Sequence, residues 1–411
     1  MKRVVITGIG AVTPLANNFN DSWAEIKKGS SGIGRNTRCD TSGLPWKVAG
    51  EVKGFETLPY LTAKERLRLD PFVQYAVAAA HMACEDAGVL PHAGPLSKAG
   101  IIIGSSRGGI TTIEKESRKL FRKNAPRHVS PYLMPSTTIS IAASYTAQKL
   151  GIKGHCLGIS NACASGANAI GESFRLIRNG HTDLMLAGGA EAPLCRLCID
   201  GYGISGALSK INNASASRPF DRARCGFILA EGAAVLVLEE YESARKRKAP
   251  LYAEIIGYSS TTDAFHLTKP DPAGEAHALS VALEAAGVLP GEIDYINAHG
   301  ASTLLGDKAE AQAIRAVFGG TSPGIPVSSV KSMTGHMLAA SGAFEAACTS
   351  LSIREGIIPP TLNLTDKDPE CDINVIAEVW EKPVGIALSN SFGFGGVNAV
   401  LVLKKCRSLV I

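Results

Sequence analysis

Two segments, CEDAGVLP (Cys84 to Pro91) and LEAAGVLP (Leu283 to Pro290), stand about 200 residues apart in a chain of 411, close to half its length. Each follows an Ala-rich helical pattern and precedes an apolar run, GIIIGSS in the first case and DYINAHG in the second. A repeat at this distance marks a duplicated half rather than a short-period array. Each half then alternates strands and helices, which predicts an α/β protein with mainly parallel sheets covered by helices. The charged stretch ESARKRKAP closes the first half near Pro250, giving halves of residues 1–250 and 251–411.

A hydrophobic content of 45% with 19% charged residues describes a globular chain. The net charge of +5 tilts toward acidic partners but is too small and dispersed to argue for nucleic acid. Ten cysteines without framework spacing predict reduced thiols and a cytoplasmic location. The start, MKRVVITGIGAVTPLANN, imitates a signal peptide, but Gly8, Gly10 and Pro14 break its apolar run. We read Val4 to Ile6 as a strand with its turn at Gly8 and Gly10. No stretch approaches the roughly 20 apolar residues that span a bilayer, so no membrane association is expected. TGIGAV is an incomplete dinucleotide fingerprint, so no cofactor is assigned there. Cys195 and Cys198 lack a second pair and nearby histidines, read as packing residues, and give no metal site.

The most reactive placement belongs to Cys163, in HCLGISNACASGANAIGESFRLIRNG. Cys156 to Ile159 reads as a strand, and Ala169, Ile170, Phe174, Leu176 and Ile177 recur at helical spacing until Gly180. Cys163 therefore sits on a strand-to-helix turn, where unpaired N–H groups and the helix dipole favour its thiolate. His299 in INAHGASTLLGD and His336 in SSVKSMTGHMLAASGAFEAA likewise stand at the ends of apolar strands beside small residues; Lys331 sits before or at the start of a small-residue helix, and a glycine loop in LSNSFGFGGVNAVLVL holds Phe392 and Phe394. Ligands bind at such strand ends in open α/β sheets. One cysteine with two histidines admits a protease-like pair, a metal site, or a thioester-handling nucleophile whose histidines stabilise an enolate. The metal reading is poor, because no two of the three lie at ligand spacing. Lys115, Arg118, Lys119, Arg122, Lys123 and Arg127 form a basic run that is either a solvated helix face or a docking surface for an acidic macromolecule. A second basic helix opens at Thr62 with Lys64, Arg66 and Arg68.

NACASG, NAHGAST, KSMTGHMLAASGA and NSFGFGG, in this order, resemble the signature segments of the elongating type II β-ketoacyl-acyl-carrier-protein synthases. The likeness runs from VVITGIGAVTP to the final strand. It implies the thiolase fold, two similar halves in five layers (αβαβα), and a homodimer without a cofactor. It implies that Cys163 carries the growing acyl chain as a thioester, covalent catalysis of the ping-pong kind. His299 and His336 would stabilise the charge that builds as a malonyl thioester loses CO2. The backbone N–H groups of Cys163 and Phe394 would hold the oxyanion, with Phe394 as a gate. Lys331 would be an organiser paired with Glu310, with Glu345 also nearby. Lys64, Arg66, Arg68, Arg122, Lys123 and Arg127 would meet an acidic acyl carrier protein.

Three positions depart from the family's pattern, one of them Ala164 in the cysteine motif, where threonine is common and the change is one of packing. Ala301 replaces a hydroxyl residue of the HGTSTP segment, leaving Thr303 to bond the pantetheine arm. Arg107, in SSRGGI, stands where an aliphatic residue lines the acyl pocket, and either enters that tunnel or forms a surface or interface ion pair. A thiolase acting on CoA esters would need a second cysteine near the C-terminal glycine loop, where this chain has Phe392 and Phe394. A non-catalytic partner subunit would have lost the nucleophile.

Overall fold

In the computed structural model, which describes residues 1–57, 59–89, 91–92, 94–121 and 129–406, the repeat is visible first in its helix punctuation. Asp70 and Asp271 cap the helices Pro71–Ala87 and Pro272–Ala286, each accepting a hydrogen bond from the backbone two residues on, with proline at the first helical position. Gly88 and Gly287 close the same helices at φ 66°, a left-handed conformation that glycine adopts without a steric penalty.

Ten strands form the main sheet: β1 (Val4–Val12), β2 (Gly100–Gly104), β3 (Cys156–Ile159), β4 (Leu184–Glu191), β5 (Gly232–Glu240), β6 (Glu254–Thr262), β7 (Tyr295–Asn297), β8 (Val327–Ser328), β9 (Ile386–Gly393) and β10 (Val397–Lys404). Their order is β3-β2-β4-β5-β1-β6-β10-β9-β7-β8. The antiparallel pairs Val4↔Ile255 and Val5↔Glu254 join β1 to β6. Outward from that seam the two sets of five repeat the same senses. β1–β5 and β5–β4 match β6–β10 and β10–β9 as antiparallel pairs; β4–β2–β3 match β9–β7–β8 as parallel ones. The sheet is therefore mixed, not mainly parallel. The hairpin through Gly395 and Gly396, both at positive φ, is too short for anything but an antiparallel return.

Six helices complete the layers: α1 (Pro71–Ala87), α2 (Ile141–Leu150), α3 (Ser165–Arg178), α4 (Pro272–Ala286), α5 (Leu304–Phe318) and α6 (Ala339–Glu355). α1 packs on β1, β4 and β5, with α2 beside it; α4 packs on β6 and β10, with α5 beside it. Between the two halves of the sheet lie α3 and α6, each touching strands of both. The layers are thus α1/α2, sheet, α3/α6, sheet, α4/α5, the five-layered thiolase arrangement. A helix between two sheets has no solvent face; accordingly every residue of α6 from Ala339 to Ile353 is buried.

Gly8 and Gly10 make no turn, because β1 continues through both, with an irregularity in its pairing between Ile6 and Gly8. A Cβ at Gly8 would overlap the Ala83 carbonyl oxygen, and one at Gly10 that of Ala79. These glycines let α1 lie against the strand, a close approach that only a missing side chain permits. The same device recurs in the centre, where a Cβ on Gly166 would overlap the Ala339 carbonyl oxygen and the N-terminal ends of α3 and α6 meet.

Candidate active site

Cys163, His299, His336 and Phe394 follow β3, β7, β8 and β9 respectively, so the strand ends of both halves converge. They line one cavity of about 360 Å³ together with Tyr202, Phe227, Thr303 and Phe392. Cys163 is half-buried on the turn between β3 and α3, preceded by Ala162 at φ 46°, a conformation that L-residues rarely adopt. Its Sγ lies 3.1 Å from His336 Nε2. The two imidazoles stand 5.3 Å apart, centre to centre, at 82°. Phe227 packs edge-on against His336 at 5.2 Å, and Phe392 lies 6.1 Å from His299.

Burial governs the charges here. It pushes His299 and His336 well below the usual imidazole range, and the Lys331 cation adds to the effect, so both rings are neutral. It also pushes the Cys163 thiol up to about 11, against Lys331, Arg107 and the Phe394 backbone N–H. The expectation that the turn favours thiolate is outweighed, because burial is the largest influence on this thiol.

Lys331 is buried and pairs with Glu345, equally buried, while its Nζ donates to the His299 carbonyl at 2.6 Å. Glu310 is not its partner. The Glu310 carboxylate accepts the backbone N–H groups of His299 (2.8 Å) and Gly300 (2.7 Å) and the Asn390 side chain (3.0 Å). α5 carries Glu310 beneath the His299 turn, while α6 carries Glu345 beside Lys331. Burial raises both carboxyls above their usual range, Glu345 to about 7.

Thr303 lines the cavity but caps α5, its hydroxyl accepting Gly306 N–H at 3.1 Å and keeping its own hydrogen to donate. Arg107 is exposed, and its Nε donates to the Tyr202 hydroxyl at 2.8 Å. It is therefore neither the unpaired tunnel charge nor, among the described residues, half of an ion pair. Sequence reasoning missed its support: Glu191, buried, accepts Ser105 Oγ at 2.6 Å and the backbone N–H groups of Ser106 and Arg107. It also missed Tyr202, Phe227 and Ser341. Only Ser341 left a signal, the ASGA of residues 164–167 returning at residues 340–343.

Lys64 and Arg66 are exposed on the short helix Ala63–Arg68, where Thr62 and Glu65 form a capping box. Arg68 stacks 4.3 Å from the Tyr132 ring centre. Arg118 and Lys119 pair with Glu114 and Glu116. Arg122, Lys123 and Arg127 lie outside the described residues.

The family model "Beta-ketoacyl synthase, N-terminal domain" matches residues 1–244, and its C-terminal counterpart matches residues 252–365. The chain belongs to the β-ketoacyl synthase family. Among curated synthases, the 3-oxoacyl-[acyl-carrier-protein] synthase 2 of Staphylococcus aureus is 43% identical over 98% of both chains. That of Synechocystis sp. is 42% identical over the same shares. Among solved structures, this synthase superposes on the ishigamide ketosynthase/chain length factor with a TM-score of 0.92 at 35% identity, covering 99% of this chain and all of that one. A type II polyketide ketosynthase bound to its acyl-carrier protein and a hexaketide gives 0.91 at 34%, covering 98% of this chain and all of that one.

Proposed function

We propose that this β-ketoacyl synthase extends an acyl chain by two carbons, condensing it with malonyl-acyl carrier protein in fatty-acid biosynthesis. The observation that carries this reading is the Cys163 sulfur 3.1 Å from His336 Nε2, with a second neutral imidazole beside it in one cavity. Cys163 attacks the acyl thioester; the carbon–sulfur bond to the carrier breaks, and the carrier leaves as its thiol. Malonyl-carrier protein enters next. Its carboxylate carbon–carbon bond breaks to release CO2, and the electron pair passes to the thioester oxygen. Neutral His299 and His336 hold that oxygen as hydrogen-bond donors. The carbanion attacks the acyl-Cys163 carbonyl, whose oxyanion the Cys163 and Phe394 N–H groups receive. Donors of this kind are worth roughly 3 kcal/mol each. The sulfur then leaves as thiolate and takes a proton from solvent, which restores the Cys163 thiol.

Phe394, on its glycine-flanked turn, serves as the gate, and Phe392 and Thr303 line the path of the pantetheine arm. Lys331, Glu345 and Glu310 organise the histidine turns. Lys64, Arg66 and Arg68, with Arg122, Lys123 and Arg127, meet the acidic carrier protein. A homodimer is supported by β3, a short edge strand with Leu157 exposed. The halves divide near residue 250. A cytoplasmic location is supported by ten cysteines that are all free and by a chain without a helix, among the described residues, long and apolar enough to cross a membrane. A specialised polyketide pathway is a second reading, favoured by the polar Arg107–Tyr202 contact near the nucleophile. Purified protein given acyl- and malonyl-carrier proteins should release CO2 and yield a β-ketoacyl thioester two carbons longer. Failure with every saturated acyl chain, but turnover of an oxygenated one, would move the enzyme to the second reading.

A further inference from the structure

The ASGA repeat is one structural device used twice. In the first half, Ser165 at the start of α3 accepts Asn161 N–H on its hydroxyl oxygen at 2.8 Å and donates its hydrogen to the Ala162 carbonyl at 2.6 Å, fixing the Cys163 turn. In the second half, Ser341 in the first turn of α6 accepts Met337 N–H at 2.9 Å, across the same four-residue interval. Its other polar contact is His336 Nδ1 at 3.1 Å. Ser341 is buried, so solvent offers its hydroxyl no alternative.

A serine hydroxyl has one hydrogen to give and two lone pairs to receive. With Met337 N–H occupying one lone pair, the hydrogen has a single acceptor among the described residues, His336 Nδ1. The opposite arrangement, Nδ1–H donating to Ser341, would leave that hydrogen unpaired in a buried site. On the reading of the site given above, we infer that Ser341 is a positioning residue that holds neutral His336 as its Nε2–H tautomer and so aims a hydrogen-bond donor at the Cys163 sulfur. In this tautomer His336 cannot take the thiol proton, since Nε2 already carries one. It can only donate, to sulfur in the resting enzyme and to the thioester oxygen during decarboxylation.

Nitrogen-15 spectra of histidine-labelled enzyme, with His336 assigned by its loss in His336→Gln, report which ring nitrogen bears the proton. The expected wild-type result is a protonated Nε2 and an accepting Nδ1. Ser341→Ala should shift the population toward Nδ1–H and lower malonyl decarboxylation about tenfold, the scale of one orienting hydrogen bond. Acylation of Cys163 should stay within about twofold, and Ser341→Thr should restore the wild-type tautomer and rate. A wild-type Nδ1–H tautomer, or one unchanged in Ser341→Ala, overturns the inference. Should Ser341→Ala fail to fold, the wild-type spectrum alone decides. A protonated Nε2 in an enzyme that never decarboxylates malonyl-carrier protein would leave the role of Ser341 intact and sink the proposed reaction instead.

Discussion

At Cys163 two effects compete, and their magnitudes decide between them. The helix dipole and the Phe394 N–H favour thiolate, but burial outweighs them and leaves the resting group a thiol. The folded pKa lies above that of a free cysteine, so the thiolate fraction is small at pH 7 and grows as pH rises. Alkylation of Cys163 by iodoacetamide should accelerate about tenfold per pH unit from 7 toward its midpoint above 9; a midpoint below about 8 would show that the dipole prevails. Cys163, His299 and His336 could be singled out because each stands beside small residues after an apolar run, and the structure brings all three to one cavity. The partner of Lys331 was not. Glu310 and Glu345 are both helical carboxylates at plausible distances in sequence, and only the packing of α6 against the Lys331 turn selects Glu345.

Among the elements, glycine carried the ambiguity. In VVITGIGAV it suggests a turn, yet β1 continues through Gly8 and Gly10 because α1 needs their bare backbone as a seat. A sequence displays the small residue but not the neighbour that demands it. Gly10→Ala should overpack the β1–α1 contact and destabilise the fold by about 1–3 kcal/mol, read as a lower Tm with unchanged secondary structure; an unaltered Tm would show that α1 yields without penalty. The mixed sheet escaped prediction for a related reason. Alternating strands and helices imply crossovers, whereas the hairpin through Gly395 and Gly396 and the seam between β1 and β6 are antiparallel features without a periodic signature.

For the molecule as a whole, the duplication was legible from one repeated segment, and it accounts for why the site lies where it does. Two equivalent halves facing across α3 and α6 bring the ends of β3, β7, β8 and β9 together, so one half supplies Cys163 and the other the two histidines of the cavity. At the surface, Lys64 and Arg66 are exposed while the intervening Glu65 is engaged by Lys149 at 3.1 Å. Lys64→Glu with Arg66→Glu should raise the KM for acyl-carrier protein about tenfold at low salt, with little change for a carrier-free thioester; equal effects on both substrates would remove this helix from the docking surface.

The central claim is that Cys163 accepts the acyl chain. Intact-mass measurement of the protein after incubation with acyl-carrier proteins of graded chain length tests it most directly. The expected result is a single acyl adduct on the native chain, absent in Cys163→Ala, with a length profile shaped by the cavity wall at Tyr202. An adduct that persists in Cys163→Ala, or none with any acyl chain, would contradict the account.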